Sequence, residues 1–200
     1  MRVGILGGTF DPVHIGHLVL AEQARTALAL DCVLFVPAGD PWRKGRPLMT
    51  PGAVRLDMLR LATAGNEGFG IADIELRRPG PTYTADTLET LAAERLDDEF
   101  WFIVGADALA DLPNWHEPER IVRHATLAVA PRDASSPLAP ALPGIEARIE
   151  RVPMPRIDVA SSDIRARIAA GRSIRYLVPD AVREHIERHG LYRAGAPAKA

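Results

Sequence analysis

The chain has 200 residues and a formal net charge of −2 at pH 7, with 47% hydrophobic and 25% charged residues. This balance excludes a disordered chain, and no run approaches the ~18 consecutive apolar residues that a membrane-spanning helix needs. The near-neutral charge gives no reason to expect nucleic-acid binding, and the single cysteine excludes an internal disulfide or a multi-cysteine metal site.

The predicted elements alternate between strands and helices along most of the chain. A short apolar strand at 2–6 leads through two glycines into a helix with Ile15, Leu18, Val19 and Ala21 at apolar positions. Further strands are predicted at 32–37, 68–76, 99–105, 126–132 and 147–154, and further helices at 50–65, 84–96, 117–124, 161–171 and 178–190. This order predicts an α/β fold, a Rossmann-like doubly wound parallel sheet, in which ligands bind beyond the carboxyl ends of the strands.

Two of the predicted helices carry capping signals at their starts. Thr50 and Pro51 occupy the N-cap and the first position of the second helix, and Thr84 is the predicted N-cap of the third. The predicted buried face of the second helix consists of Val54, Met58 and Leu61.

The predicted organisation is a single domain over residues 1–192, with a small helical C-terminal part at about 161–192. Segment 133–145 is rich in proline and alanine and is predicted to be a surface loop, and 193–200 is predicted to be a disordered tail. The first residues do not have the pattern of a signal peptide, which predicts a cytoplasmic protein.

The turn after the first strand combines two features of phosphate sites. Gly7 and Gly8 let the backbone approach a ligand closely, and His14 and His17 are spaced to share one face of a helix start. The free N–H groups and the dipole at that end of a helix attract anions. A pair of histidines could also bind a metal, but no third ligand stands at a suitable spacing. The pattern therefore favours a phosphate ligand.

Residues 8–17, Gly-Thr-Phe-Asp-Pro-Val-His-Ile-Gly-His, resemble the Gly-x-Phe-x-Pro-x-His-x-Gly-His signature of the nucleotidyltransferase superfamily. The resemblance implies an ATP site that includes both histidines and the residues Gly7, Gly8, Thr9 and Phe10. Class I aminoacyl-tRNA synthetases share the His-Ile-Gly-His element. A synthetase is a poor fit, because the chain has no Lys-Met-Ser-Lys-Ser-like segment and no large basic body.

A second phosphate pattern stands at the start of a C-terminal helix. Ser161 and Ser162 lie where that helix begins and Arg165 lies one turn later, so hydroxyls and a guanidinium could converge on a polyphosphate. On its own, this pattern is equally typical of an N-cap followed by a solvated arginine. The segment is similar to the Ile-Ser-Ser-Thr-x-Ile-Arg element that grips the ATP phosphates in adenylyltransferases, with Asp163 at the Thr position.

The middle of the chain is similar to the bacterial nicotinate-nucleotide adenylyltransferase family. The matching stretches are "PTYT", "FIVGADALADLPNW" and "HGLYR", and the similarity extends from residue 3 to about Tyr192. The nicotinate-nucleotide site that the resemblance implies consists of Thr82, Tyr83, Thr84, Asp107, Trp115 and Arg132. In this site Trp115 offers a face for the pyridine ring, and the helix start at Thr84 suits the nicotinate carboxylate, an attraction that uncharged nicotinamide would lose.

The resemblance implies transfer of AMP from ATP to nicotinate mononucleotide, with Mg²⁺ accompanying ATP and no metal ligands of the protein's own. The implied catalytic residues are His14, His17, Lys44 and Arg165, which would neutralise phosphate charge. Lys44 stands in Pro-Trp-Arg-Lys, where the family often has Pro-Pro-His-Lys. The expected partners are these small molecules, and neither a nucleic acid nor a membrane is expected as a partner. Assembly into a homo-oligomer is left open. Pantetheine-phosphate adenylyltransferase and a non-catalytic nucleotide-binding module are the alternatives.

Overall fold

The structure, a computed structural model, describes residues 1–41, 49–131 and 146–193. The strands are β1 (Arg2–Gly8), β2 (Cys32–Pro37), β3 (Asp40–Pro41), β4 (Phe69–Ile71), β5 (Pro81–Thr82), β6 (Glu99–Gly105), β7 (Thr126–Ala130) and β8 (Ile149–Arg151). The helices are α1 (Ile15–Ala27), α2 (Gly52–Thr63), α3 (Ile74–Arg77), α4 (Thr84–Glu94), α5 (Ala106–Asp111), α6 (Pro118–His124), α7 (Ser161–Ala169) and α8 (Asp180–His189).

Six of these strands form one sheet in the order β4-β2-β1-β6-β7-β8, and each neighbouring pair is parallel. Counted along the chain, this is the 3-2-1-4-5-6 order of a doubly wound sheet. Strands β3 and β5 form a separate parallel pair, with Asp40 opposite Pro81 and Pro41 opposite Thr82. The predicted Rossmann-like α/β fold is confirmed.

Side chains on the central strands alternate between the two faces of the sheet. On β6, Phe100, Phe102 and Val104 pack on the face that α4, α5 and α6 cover, whereas Trp101 and Ile103 pack on the face that α1, α2, α7 and α8 cover. Because helices cover both faces, the central strands read as nearly continuous apolar runs in the sequence. This pattern is why their positions could be predicted closely.

The C-terminal helices are attached to the start of α1. Ile164 of α7 and Ile186 of α8 are buried in the same core cluster as α1 and α2. The N–H of Ile15 donates to the carbonyl of Leu177 at 3.0 Å. The C-terminal part therefore lies directly against the turn between β1 and α1.

Two sequence predictions about the middle of the chain were wrong. The predicted strand at 68–76 ends at Ile71, and α3 occupies most of its second half. In α2, Leu61 is 37% exposed, whereas Arg55 and Leu59 are buried. The buried face of α2 is thus rotated so that it includes an arginine, a residue that sequence reasoning places in solvent.

Two predicted N-caps were also wrong, each by one residue. Pro51 is the N-cap of α2, so Thr50 lies outside that helix. Tyr83 is the N-cap of α4, and Thr84 is its first helical residue. Differences of this size at helix ends are common, and Thr84 still stands at the N-terminus of the helix.

No helix within the described residues is long and apolar enough to cross a membrane. The predicted loop at 133–145 and the chain after Arg193 lie outside the described residues.

Candidate active site

The centre of the sheet contains a topological switch point between β1 and β6. The two strands are neighbours, yet the connections that leave their carboxyl ends run to opposite faces, α1 on one and α5 on the other. A crevice forms at such a point in doubly wound sheets and is where their ligands bind. Gly7 and Gly8 end β1 at this crevice, and Asp107 follows β6 there.

The two histidines lie together at the start of α1. His14 is the N-cap in an extended conformation, and its backbone N–H donates to Nδ1 of His17 at 3.2 Å. The two rings are stacked with their centroids 3.7 Å apart, and the edge of Phe10 meets His17 at 5.0 Å. The predicted convergence of both imidazoles at one helix terminus is therefore present in the structure.

Both imidazoles are uncharged at neutral pH. Burial lowers the pKa of His14 to about 4. Burial, followed by repulsion from His14, lowers the pKa of His17 to about 3. Because Nδ1 of His17 accepts a hydrogen bond, the proton of its neutral ring lies on Nε2, which makes Nε2 a donor. Nδ1 of His14 is buried, and no described residue is its hydrogen-bond partner.

These lowered pKa values predict how stability depends on pH. Between about pH 4 and 6.5 the unfolded chain binds protons at His14 and His17 that the folded chain does not, so the free energy of unfolding should fall as pH falls through this window. Urea unfolding of the ligand-free protein at pH 7.5 and pH 5 measures the fall. His17→Asn should show a smaller fall than the parent chain, and an equal fall in both proteins would contradict the prediction.

Helix α7 contacts the β1–α1 turn through two of its predicted phosphate residues. The hydroxyl of Ser161 donates to the carbonyl of Pro12 at 2.9 Å, and the guanidinium of Arg165 donates to the carbonyl of Asp11 at 2.6 Å. Ser162 is exposed one residue further along α7. Ser161 and Arg165 thus lie at the histidine turn and bind its main chain in this structure, and their contact with phosphate stays a prediction.

The carboxylate of Asp11 connects the same turn to the segment that follows α8. Asp11 is only 6% exposed and accepts the hydroxyl of Tyr192 at 2.5 Å and the N–H of Thr50 at 3.2 Å. Burial, reinforced by the charge of Asp11, raises the pKa of Tyr192 well above its ordinary range. Sequence reasoning noted the C-terminal "HGLYR" only as a resemblance and did not assign Tyr192 this contact.

Arg55 is a second residue at the site that sequence reasoning missed. Its guanidinium donates to the carbonyls of Thr9, Ala38 and Thr50, each at 2.8 Å. Burial lowers the pKa of Arg55, and the charges of Asp11 and other nearby groups oppose that shift. No pattern of α2 marks this arginine, because its acceptors are main-chain atoms from three other segments.

A cavity of about 550 Å³ occupies the side of the crevice that faces α3, α4 and α5. Eight residues predicted from the sequence line it, namely Gly7, Gly8, Thr9, Thr82, Tyr83, Thr84, Asp107 and Trp115. The lining also includes Ala38, Glu75, Phe102, Ala108, Asp111 and His116, which the sequence did not identify. The two histidines and Arg165 lie beside the turn rather than in this lining, so the site has two parts that share the end of β1.

Aromatic rings form one wall of the cavity. Nε1 of Trp115 donates to Oδ2 of Asp111 at 3.1 Å, and Phe102 meets the indole at a steep angle with 6.0 Å between centroids. The rings of Tyr83 and His116 are 4.0 Å apart. Because the hydrogen bond and the ring contact hold its indole, Trp115 is suited to present a fixed aromatic surface to a flat ligand.

Next to Ala38 and Glu75 of the cavity lining, two main-chain segments approach each other closely. A Cβ atom at Gly39 would stand 2.2 Å from the carbonyl oxygen of Glu75, so only glycine fits there. The carboxylate of Glu75 accepts the hydroxyl of Thr87 at 2.9 Å and lines the cavity. Glu75 belongs to α3, which follows β4, and its side chain is buried.

Two predicted site residues, Lys44 and Arg132, lie outside the described residues. Among the residues that the structure does describe, no group of three histidine, cysteine, aspartate or glutamate side chains could hold a metal ion. The roles of the individual site residues stay predictions.

Comparisons of this sequence with known proteins identify the family to which the chain belongs. The family model of the cytidylyltransferase-like proteins matches residues 5–167, so the chain belongs to this class of nucleotidyltransferases. A relative from Thermomicrobium roseum is 52% identical over 198 residues, covering 96% of this chain and 92% of its own. A relative from a Roseiflexus species is 49% identical over 195 residues, and the match covers 96% of this chain and 98% of the relative. Both are named "Probable nicotinate-nucleotide adenylyltransferase". The chain therefore belongs to the nicotinate-nucleotide adenylyltransferase family.

A solved structure has the same fold at much lower identity. It is the nicotinic acid mononucleotide adenylyltransferase of Plasmodium falciparum complexed with NaAD. Its TM-score is 0.79 at 18% identity, and the match covers 96% of this chain and 97% of the other.

Proposed function

We propose that this protein transfers the adenylyl group of ATP to nicotinate mononucleotide in NAD biosynthesis. A phosphate oxygen of the mononucleotide attacks the α-phosphorus of ATP, the bond from that phosphorus to the α,β-bridging oxygen breaks, and pyrophosphate leaves. The products are nicotinic acid adenine dinucleotide and pyrophosphate. The names of relatives at 52% and 49% identity over almost the whole chain support the reaction.

The observation that carries the proposal is that the aromatic-walled cavity is lined by Gly7, Gly8 and Thr9, the residues that lead directly into the turn before α1 with its two histidines. A nucleotide acceptor in the cavity would lie with its ring at Trp115 and its phosphate toward the turn. The first N–H groups of α4, beginning at Thr84, have no partners within the helix and would attract the nicotinate carboxylate. Nicotinamide carries no such charge, so the acid is the favoured acceptor.

The turn supplies donors rather than a general base. A phosphate monoester has its second pKa near 6 and is already ionised at pH 7, so the acceptor needs no deprotonation. The neutral ring of His17 can donate from Nε2, and the guanidinium of Arg165 carries a fixed positive charge beside the same turn. These groups would stabilise the charge that develops on the triphosphate, which is electrostatic catalysis by groups already in place.

Mg²⁺ is proposed to bind through phosphate oxygens of ATP. Those oxygens are its usual ligands in such sites, and the described residues contain no cluster that could hold the ion by themselves. Lys44 and Arg132 stay predicted contributors. The cytoplasmic location, the absence of a nucleic-acid partner and assembly into a homo-oligomer also stay predictions.

The reaction is tested by offering ATP and Mg²⁺ with nicotinate mononucleotide, nicotinamide mononucleotide or phosphopantetheine in parallel assays. Chromatography separates nicotinic acid adenine dinucleotide, NAD and dephospho-coenzyme A. We expect kcat/KM for the nicotinate acceptor to exceed that for either other acceptor by about tenfold or more. This ratio corresponds to the free energy of about one charge-assisted hydrogen bond. Activity with only another acceptor would contradict the assignment of the cavity, and no activity at all would favour the binding-module alternative.

A further inference from the structure

Arg55 is a buried charge that the proposed chemistry does not use. It lies on α2, is 1% exposed, and is flanked on the same helix face by Met58 and Leu59, which are both fully buried. Burying a guanidinium is costly unless its donors are satisfied, and a hydrophobic residue could fill the same volume without that cost. A buried arginine at this position therefore requires an explanation beyond packing.

The contacts of Arg55 connect three separate segments around the site. Nη1 donates to Thr9 in the β1–α1 turn, Nη2 donates to Ala38 after β2, and Nε donates to Thr50 before α2. All three distances are 2.8 Å, the ordinary length of a good N–H···O bond. Each nitrogen of the planar fork thus holds one segment, so the three carbonyls have fixed positions relative to one another.

Two of those three segments border the proposed acceptor cavity. Thr9 and Ala38 both line the acceptor cavity, and Thr9 also begins the turn that leads to His14. Movement of Thr9 relative to Ala38 would displace the phosphate turn from the acceptor. Transfer between two bound phosphates is sensitive to such displacement, since about 1 Å of misplacement can cost a factor of about 100 in rate.

We propose that Arg55 is a positioning residue for adenylyl transfer, which holds the β1–α1 turn at the correct distance from the acceptor cavity through the carbonyls of Thr9 and Ala38. The inference rests on the proposed function. Lysine cannot replace the arginine here, because an ammonium group is a point donor and cannot reach three carbonyls that lie around a planar fork.

The test compares Arg55→Lys with Leu59→Ala, a buried packing variant on the same helix whose aliphatic side chain cannot hydrogen-bond to the three carbonyls. Both are assayed at a temperature where circular dichroism shows each to be folded. We expect kcat of Arg55→Lys to fall about tenfold or more below that of Leu59→Ala, whereas Leu59→Ala loses thermal stability with little change in kcat. A smaller difference in kcat between the two variants would overturn the proposal. If Arg55→Lys does not fold, Arg55→Gln takes its place in the same comparison.

A second measurement separates this inference from the proposed reaction. Hydrogen exchange of the backbone amides at residues 9–11, 13 and 14 reports the order of the turn without turnover. We expect faster exchange there in Arg55→Lys than in Leu59→Ala, and equal exchange would overturn the positioning role. An inactive parent protein would contradict the proposed function, and the exchange comparison would then decide the role of Arg55 alone.

Discussion

Replacing His17 with alanine is expected to lower kcat by about 100-fold or more, the usual cost of removing a donor that stabilises transition-state charge. The structure holds this ring between Phe10 and His14 and fixes its proton on Nε2, where it can donate to a phosphate oxygen. The KM for the acceptor should change by less than about threefold, because His17 does not line the acceptor cavity.

The matched control for His17 is His189→Ala. His189 is exposed on α8, its Nδ1 lies 2.9 Å from the carbonyl of His185, and it does not line the cavity. Steady-state kinetics with saturating acceptor should give the parent kcat for this control. A value of kcat for His17→Ala within about threefold of the parent would contradict the role given to the ring.

The central fold and the histidine turn could be predicted because their signals are local. The strand, the glycines and both histidines of this turn fall within residues 2–17, and the buried strands β2, β6 and β7 are short apolar runs. Their lengths and order are enough to predict a doubly wound sheet with ligands at its carboxyl edge. Part of the cavity lining was also predicted from short stretches that resemble the family, at Thr82 to Thr84 and at Trp115, and their contact with the acceptor stays a prediction.

The contacts that hold the site together could not be predicted, because their partners are distant in sequence. Asp11 and Tyr192 are 181 positions apart, and Arg55 is 46 positions from Thr9. The acceptors of Arg55 are main-chain carbonyls, which exist at every residue and leave no mark in the sequence. The prediction of 68–76 as one strand was wrong in a segment that also has a partner elsewhere in the chain, since Glu75 accepts a hydrogen bond from Thr87 of another helix.

Replacing Asp11 with alanine is expected to lower the free energy of unfolding by about 3–5 kcal/mol, the cost of removing one partner from a buried charged group. The variant would leave the Tyr192 hydroxyl buried without its acceptor and would remove a charge that favours the protonated form of Arg55. Asp11→Asn should lose less, because its amide oxygen can still accept the hydroxyl. Urea unfolding at pH 7.5 measures all three proteins.

Asp57→Ala is the matched control, because its carboxylate is 52% exposed and pairs with Arg60 on the surface of α2. Such a pair contributes at most about 1 kcal/mol, so this variant should remain close to the parent. These variants test whether Tyr192 and the turn between β1 and α1 form a single buried unit. If Asp11→Ala lost no more stability than Asp57→Ala, water would have to reach Tyr192 and Arg55. Their contacts could then not be what holds the turn in place. A large loss confined to Asp11 would instead mean that the turn between β1 and α1 is held by Tyr192, which lies 181 positions from Asp11.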